Sequence, residues 1–84
     1  MNILDVYARE FLKYCDNCHF LFFNQEHRRE VCERLGVKPE KLDEIITYCL
    51  DKQYANFFEP YLPNYVCPTN SGLRALGLLE EETL

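Results

Sequence analysis

Val31-Cys-Glu-Arg-Leu-Gly-Val-Lys-Pro-Glu-Lys-Leu-Asp-Glu-Ile-Ile46 is the stretch on which the fold turns. Gly36 follows the last apolar position of one helical pattern, where a helix ends most easily through a residue in the left-handed region. Three residues later Pro39 suits the first position of a new helix, because its missing N–H is not needed there, and Glu40 in the first turn meets the positive end of the helix dipole. Upstream, Asn24 is a good N-cap, with Gln25 and Glu26 in the first turn and Val31, Cys32 and Leu35 on the hidden face. Downstream, Leu42, Ile45, Ile46, Cys49, Leu50 and Gln53 form one stripe at helical spacing. The reading is a helix over 25–35, a tight turn at Gly36 and a steeply crossing helix from 39 to about 52.

Outward from this centre, Leu4, Tyr7, Ala8, Phe11, Leu12 and Cys15 share one face of a helix over 3–15, with Arg9, Glu10 and Lys13 opposite. Asp16-Asn17 is expected to end it. His19-Phe-Leu-Phe-Phe23 is β-prone and apolar on both alternating faces, as in a short buried strand. On the far side, 54–58 and 65–67 read as two strands, joined by a turn-rich segment whose Pro60 and Pro63 suit no central strand. Pro68-Thr-Asn-Ser71 is expected to cap a last short helix through Leu73, Leu76 and Leu79. The acidic end, 80–84, is expected to fray, leaving one domain over 1–79.

Bulk properties agree with a small α+β domain. The 84 residues are 48% hydrophobic and 27% charged, with six Tyr and six Phe to fill a core. No apolar run approaches a membrane span and no basic stretch precedes an apolar one, so a cytoplasmic protein with no membrane contact is expected. Five cysteines, Cys15, Cys18, Cys32, Cys49 and Cys67, are an odd number for a disulfide framework and are expected to pack as reduced small hydrophobes. The net charge of −5 weighs against unspecific nucleic-acid binding, although Glu80, Glu81 and Glu82 in the tail supply three of those charges.

Helix, short strand, helix, tight turn, helix, two-stranded wing and closing helix is an order that resembles the winged helix-turn-helix family. Three stretches carry the likeness: Val31-Cys-Glu-Arg-Leu-Gly-Val37, similar to the family's second helix and glycine turn; Pro39-Glu-Lys-Leu42 through Ile45, Ile46, Leu50 and Tyr54, similar to its third helix and exit into the wing; and Val66-Cys-Pro-Thr-Asn-Ser-Gly72 with Leu76, similar to its ending. They cover about residues 25–77. Gly72 would let the last segment approach the wing closely. Lys38 departs from the pattern, since the family commonly has Ser or Thr there to cap the third helix. The resemblance implies a three-helix core with a short strand and a two-stranded wing. It suits a small stand-alone member of bacterial or phage type, working as a transcription regulator.

That resemblance places the third helix in the major groove of duplex DNA, with Lys38, Lys41 and Thr47 as contacts and Arg28, Arg29 and Arg34 of the second helix on phosphates. The same helix also offers Glu40, Asp43, Glu44 and Asp51, and no Lys or Arg stands between Lys52 and Arg74. The helix-two bases read equally as a solvated face balanced by pairs such as Glu30–Arg34. Hence a second reading: an interaction module that kept the fold and lost groove chemistry, binding a protein or its own copy through its acidic third helix and the wing residues Phe57, Phe58, Tyr61, Leu62 and Tyr65.

Catalysis is not expected. With only Gly36, Gly72 and Gly77 there is no phosphate loop, no nucleophile–base spacing stands out, and His27 reads as solvated. Cys15-Asp-Asn-Cys18-His19 spells a haem-attachment pattern, but nothing directs the export that attachment needs. As a zinc site the Cys15–Cys18 pair is half of the usual ligand set; with His19 as a third, Cys32, Cys49 and Cys67 are lone candidates for a fourth. No cofactor, metal or small-molecule substrate is expected.

Overall fold

The computed structural model describes residues 2–17, 20–57 and 65–79. Its elements are α1 Ile3–Asn17, β1 Phe20–Leu21, α2 Gln25–Leu35, α3 Pro39–Asp51, β2 Ala55–Phe57, β3 Tyr65–Pro68 and α4 Asn70–Ala75, a mixed α+β arrangement.

The decisive stretch folds as its punctuation dictates. Asn24 lies extended and its Oδ1 accepts the His27 N–H at 2.9 Å, capping α2. Gly36 closes that helix with φ 69°, in the left-handed region, and its N–H bonds the Glu33 carbonyl at 3.3 Å. Lys38 then stands at the α3 N-cap with no side-chain cap bond, while Pro39 opens the helix. Leu42, Ile45, Ile46 and Cys49 are all buried, as the stripe requires. Gln53 is not part of that stripe: it lies past the helix end, exposed, with φ 61°. Of the α2 positions only Val31 is fully buried; Cys32 and Leu35 are half-buried.

Three helices pack on one another and on a small antiparallel sheet ordered β1-β3-β2. Phe20 pairs with Val66 and Leu21 with Tyr65, while Ala55, Asn56 and Phe57 pair with Pro68, Cys67 and Val66. Phe11, Leu12, Phe20, Val31, Leu42, Ile45 and Val66 meet in the core without solvent contact, Phe11 and Phe20 edge-to-face at 5.2 Å. No helix of the described residues is long and apolar enough to cross a membrane.

Three boundaries differ from expectation. α1 continues through Asp16 and Asn17. β1 ends at Leu21 rather than Phe23, because pairing, not propensity, sets where it stops: beyond Leu21 the chain turns, with the Asn24 N–H on the Leu21 carbonyl at 3.0 Å; His19, the expected first residue, lies outside the described residues. α4 ends at Ala75 instead of Leu79, since Gly77 takes φ 75° and the Leu78 N–H turns back to the Leu73 carbonyl at 2.7 Å. Its cap is Thr69, whose Oγ1 accepts the Gly72 N–H at 2.9 Å and donates to the Gln53 carbonyl at 2.7 Å. The close approach expected at Gly72 is real: a Cβ there would lie 2.4 Å from the Tyr54 carbonyl oxygen. The acidic tail 80–84 lies outside the described residues.

Candidate functional site

The turn after β1, the start of α2, the outward face of α3 and the edge strand β2 enclose one groove. It is lined by Phe22, Phe23, Gln25, Arg28, Asp43, Ile46, Thr47, Leu50 and Phe57, with a volume of about 610 Å³. Its aromatic wall centres on Phe22, whose ring meets Phe23 edge-to-face at 4.8 Å and Phe57 at 5.7 Å. Phe23 is 69% exposed and Phe57 38%, a large apolar area left facing water at one place.

Arg28 builds this wall rather than presenting a free charge. Its guanidinium lies over the Phe22 ring at 5.0 Å, donates to the Phe22 carbonyl at 2.9 Å and pairs with Asp43 across the α2–α3 interface. Only 16% of its side chain is exposed. One cation therefore fixes the turn, the ring and the third helix together.

His27 belongs to the same framework, which corrects its reading as solvated. It is half-buried, and its Nδ1 accepts the Leu21 N–H at 3.0 Å, because the first turn of α2 faces the end of β1. Tyr48 ties the other side of α3 to α1: its hydroxyl donates to the Asp5 carboxylate at 2.5 Å, and this bond to an anion, with burial second, pushes the phenol up to about 12. Cys15 and Cys49 are buried small hydrophobes, as expected; burial first, then the Asp5 charge, pushes the Cys49 thiol up to about 12. Burial likewise raises Cys15, with Cys49 and Cys67 adding to it. Cys18 and His19 of the candidate metal motif lie outside the described residues.

The six residues suggested for DNA contact do not form one patch. Arg29 pairs with Glu33 at 3.1 Å, so the ion pair formed on α2 is this one and not Glu30–Arg34. Arg34 lies over the Tyr14 ring of α1 at 5.3 Å. Lys41 pairs with Glu44 at 3.1 Å and sits 5.8 Å from the Tyr7 ring. Lys38 and Lys41 border a hollow with Tyr7, Glu40 and Glu44, while Arg28 and Arg29 border another with Cys32 and Glu33. Thr47 is exposed at the groove. Each basic pair thus shares its surface with acids.

Of the aromatic interface candidates, Phe57 lines the groove and Tyr65 is half-buried in β3. Phe58, Tyr61 and Leu62 lie outside the described residues. Sequence reasoning missed Phe22, Phe23, Ile46 and Leu50 as groove residues. A usable sign was present: Asn24 as an N-cap makes Phe23 the residue just before the helix, where an apolar side chain packs against the helix start or stays open. Searches with protein-family models, against characterised proteins and against solved structures give no match.

Proposed function

We propose that the chain is a non-catalytic binding domain of winged-helix arrangement whose working surface, the outward face of α3 with the aromatic groove beside it, takes a protein segment. The element order, the glycine turn between α2 and α3, and a sheet in which the first strand pairs with the last support the winged-helix part. One observation carries the choice of partner. An apolar groove with Phe23 and Phe57 open to water lies against a helix whose exposed positions Glu40, Asp43, Glu44 and Asp51 are acidic, while Arg28, Arg29 and Lys41 are engaged by acids of this same chain. Phosphate binding needs uncompensated cations, and apolar grooves fit protein side chains.

A regulator that contacts duplex DNA through Lys38, Lys41, Thr47 and the α2 arginines has the element order in its favour and local charge against it. The experiment that separates the two is an amide-resonance titration at low salt. Mixed-sequence duplex is expected to leave α3 unmoved. Salt-dependent shifts at Lys38, Lys41 and Thr47 would establish the duplex reading. A photo-crosslinking side chain placed at Phe23 is expected to give protein adducts in an extract, lost in Thr47→Arg; nuclease-sensitive adducts would sink the protein reading.

A further inference from the structure

We infer that the segment taken by this groove is cationic and amphipathic: large apolar side chains fill the aromatic trough, and Lys or Arg residues on the adjoining face reach across α3 to an acidic shelf. The inference rests on the protein-binding reading above and adds the chemistry of the partner.

Two neighbouring surfaces carry it. The trough is apolar at Phe22, Phe23, Ile46, Leu50 and Phe57, and the one cation among its described lining residues, Arg28, already holds Asp43. Across α3 lies a second hollow of about 390 Å³, bordered by Leu4, Asp43, Glu44, Thr47, Tyr48 and Asp51. Asp43 and Thr47 belong to both hollows, so trough and shelf are one continuous surface with α3 as its ridge. Among the described residues no Lys or Arg borders the second hollow, and Lys52, at its edge, lies 5.8 Å from the Tyr48 ring. Arg28 pairs with Asp43 and Lys41 with Glu44 at 3.1 Å, so of the three acids bordering this hollow Asp51 is the one in no ion pair among the described residues, and the acids still outnumber the cations that meet them.

Charge complementarity then selects the occupant. Opposite potentials across an interface steer encounter and fix register, whereas like charges brought together cost affinity. A second copy of this chain would bring its own excess of negative charge, since the net charge is −5, and the same acidic ridge to the contact. Duplex DNA would bring phosphates to that ridge. A segment with Lys or Arg flanking its apolar face meets both halves of the surface. From Asp43 to Asp51 the ridge rises about 12 Å, a little over two helical turns, so apolar side chains spaced i, i+3/i+4, i+7 match its length.

Selection from a displayed library of random peptides, with the wild-type domain as bait, tests this directly, and the retained binders are then measured against Thr47→Arg. Thr47 is exposed, so Arg there obstructs the ridge without entering the core. Retained binders are expected to combine two or more large apolar residues with a net positive charge. Chosen binders should lose at least about tenfold affinity on Thr47→Arg and about threefold to fivefold on Asp51→Lys, the scale of one exposed ion pair. Phe57→Ala should weaken them as well, with the circular dichroism of all three variants unchanged. Groove-dependent binders that are neutral or acidic would overturn the charge inference and leave the protein-binding reading standing. Binders indifferent to Thr47→Arg would overturn both. Sedimentation as a dimer that Thr47→Arg dissociates would put a second copy in the groove and also overturn the inference.

Discussion

Gly36 and Gly72 are the same residue type serving different needs, and substitution should separate them. At Gly36 a Cβ would meet nothing within 4 Å, so Gly36→Ala suffers only from φ 69°. The expected loss is about 1–2 kcal/mol, the cost of a left-handed non-glycine residue. At Gly72 the Cβ would collide with the Tyr54 backbone at 2.4–2.8 Å, which cannot rotate away. Gly72→Ala should therefore cost about 3 kcal/mol or more and separate α4 from the exit of α3. Denaturant midpoints of the two variants check the order; equal losses would refute it. The titrating groups give a second prediction. Folding holds the Cys49 thiol near 12 against an ordinary 9.0, and the Tyr48 phenol near 12 against 10.0. Between those values the unfolded chain has released protons that the folded chain still keeps. Stability from these groups is thus complete below about pH 9 and is lost as pH rises to about 12. Midpoints should fall through that window, and Tyr48→Phe should remove the part above pH 10.

At the scale of elements, the helix starts are unequal, and the difference is open to repair. Asn24 caps α2 through a 2.9 Å bond and Thr69 caps α4, whereas Lys38 offers α3 nothing. Asn24→Ala should cost about 1 kcal/mol. Lys38→Asp, at a residue already extended at φ −85° and ψ 163°, should stabilise by a similar amount, read as a higher thermal midpoint. A lower midpoint for Lys38→Asp would mean that the lysine makes a contact more valuable than a cap. Element boundaries were legible wherever a residue type has one strong preference: Asn24, Gly36 and Pro39 each did what their chemistry favours. They were not legible where a partner decides. β1 stops at Leu21 because, among the described residues, β3 pairs with Phe20 and Leu21 and not with Phe22 or Phe23, and nothing local to those two announces that.

For the whole molecule, Phe20 is the point at which the layers depend on one another. It stands edge-to-face on Phe11 and Tyr14 of α1, 6.4 Å from His27 of α2, and paired with Val66 of β3. Phe20→Ala should cost about 3–5 kcal/mol, a large share of the 5–15 kcal/mol typical of a small domain. Because one ring serves α1, α2 and β3, far- and near-ultraviolet circular dichroism should lose signal together. Separate transitions would show helices that persist without the sheet. The groove is a property of the same scale. Phe22, Arg28, Asp43 and Phe57 come from four segments, and the Phe57 wall exists only once β2 is laid against β3.

The chain's local chemistry determined the α+β class, the turn at Gly36, the first and third helix stripes and the capped starts of α2 and α4, because helix periodicity, glycine, proline and asparagine act over a few residues. Only tertiary structure decided what the charges do. Arg28 looked available for phosphate and is held by Asp43 and the Phe22 carbonyl; His27 looked solvated and receives the Leu21 N–H. The reason is physical. A side chain's hydrogen-bond partner can lie many residues away, and packing leaves Phe23 open to water while burying Phe20 three positions earlier.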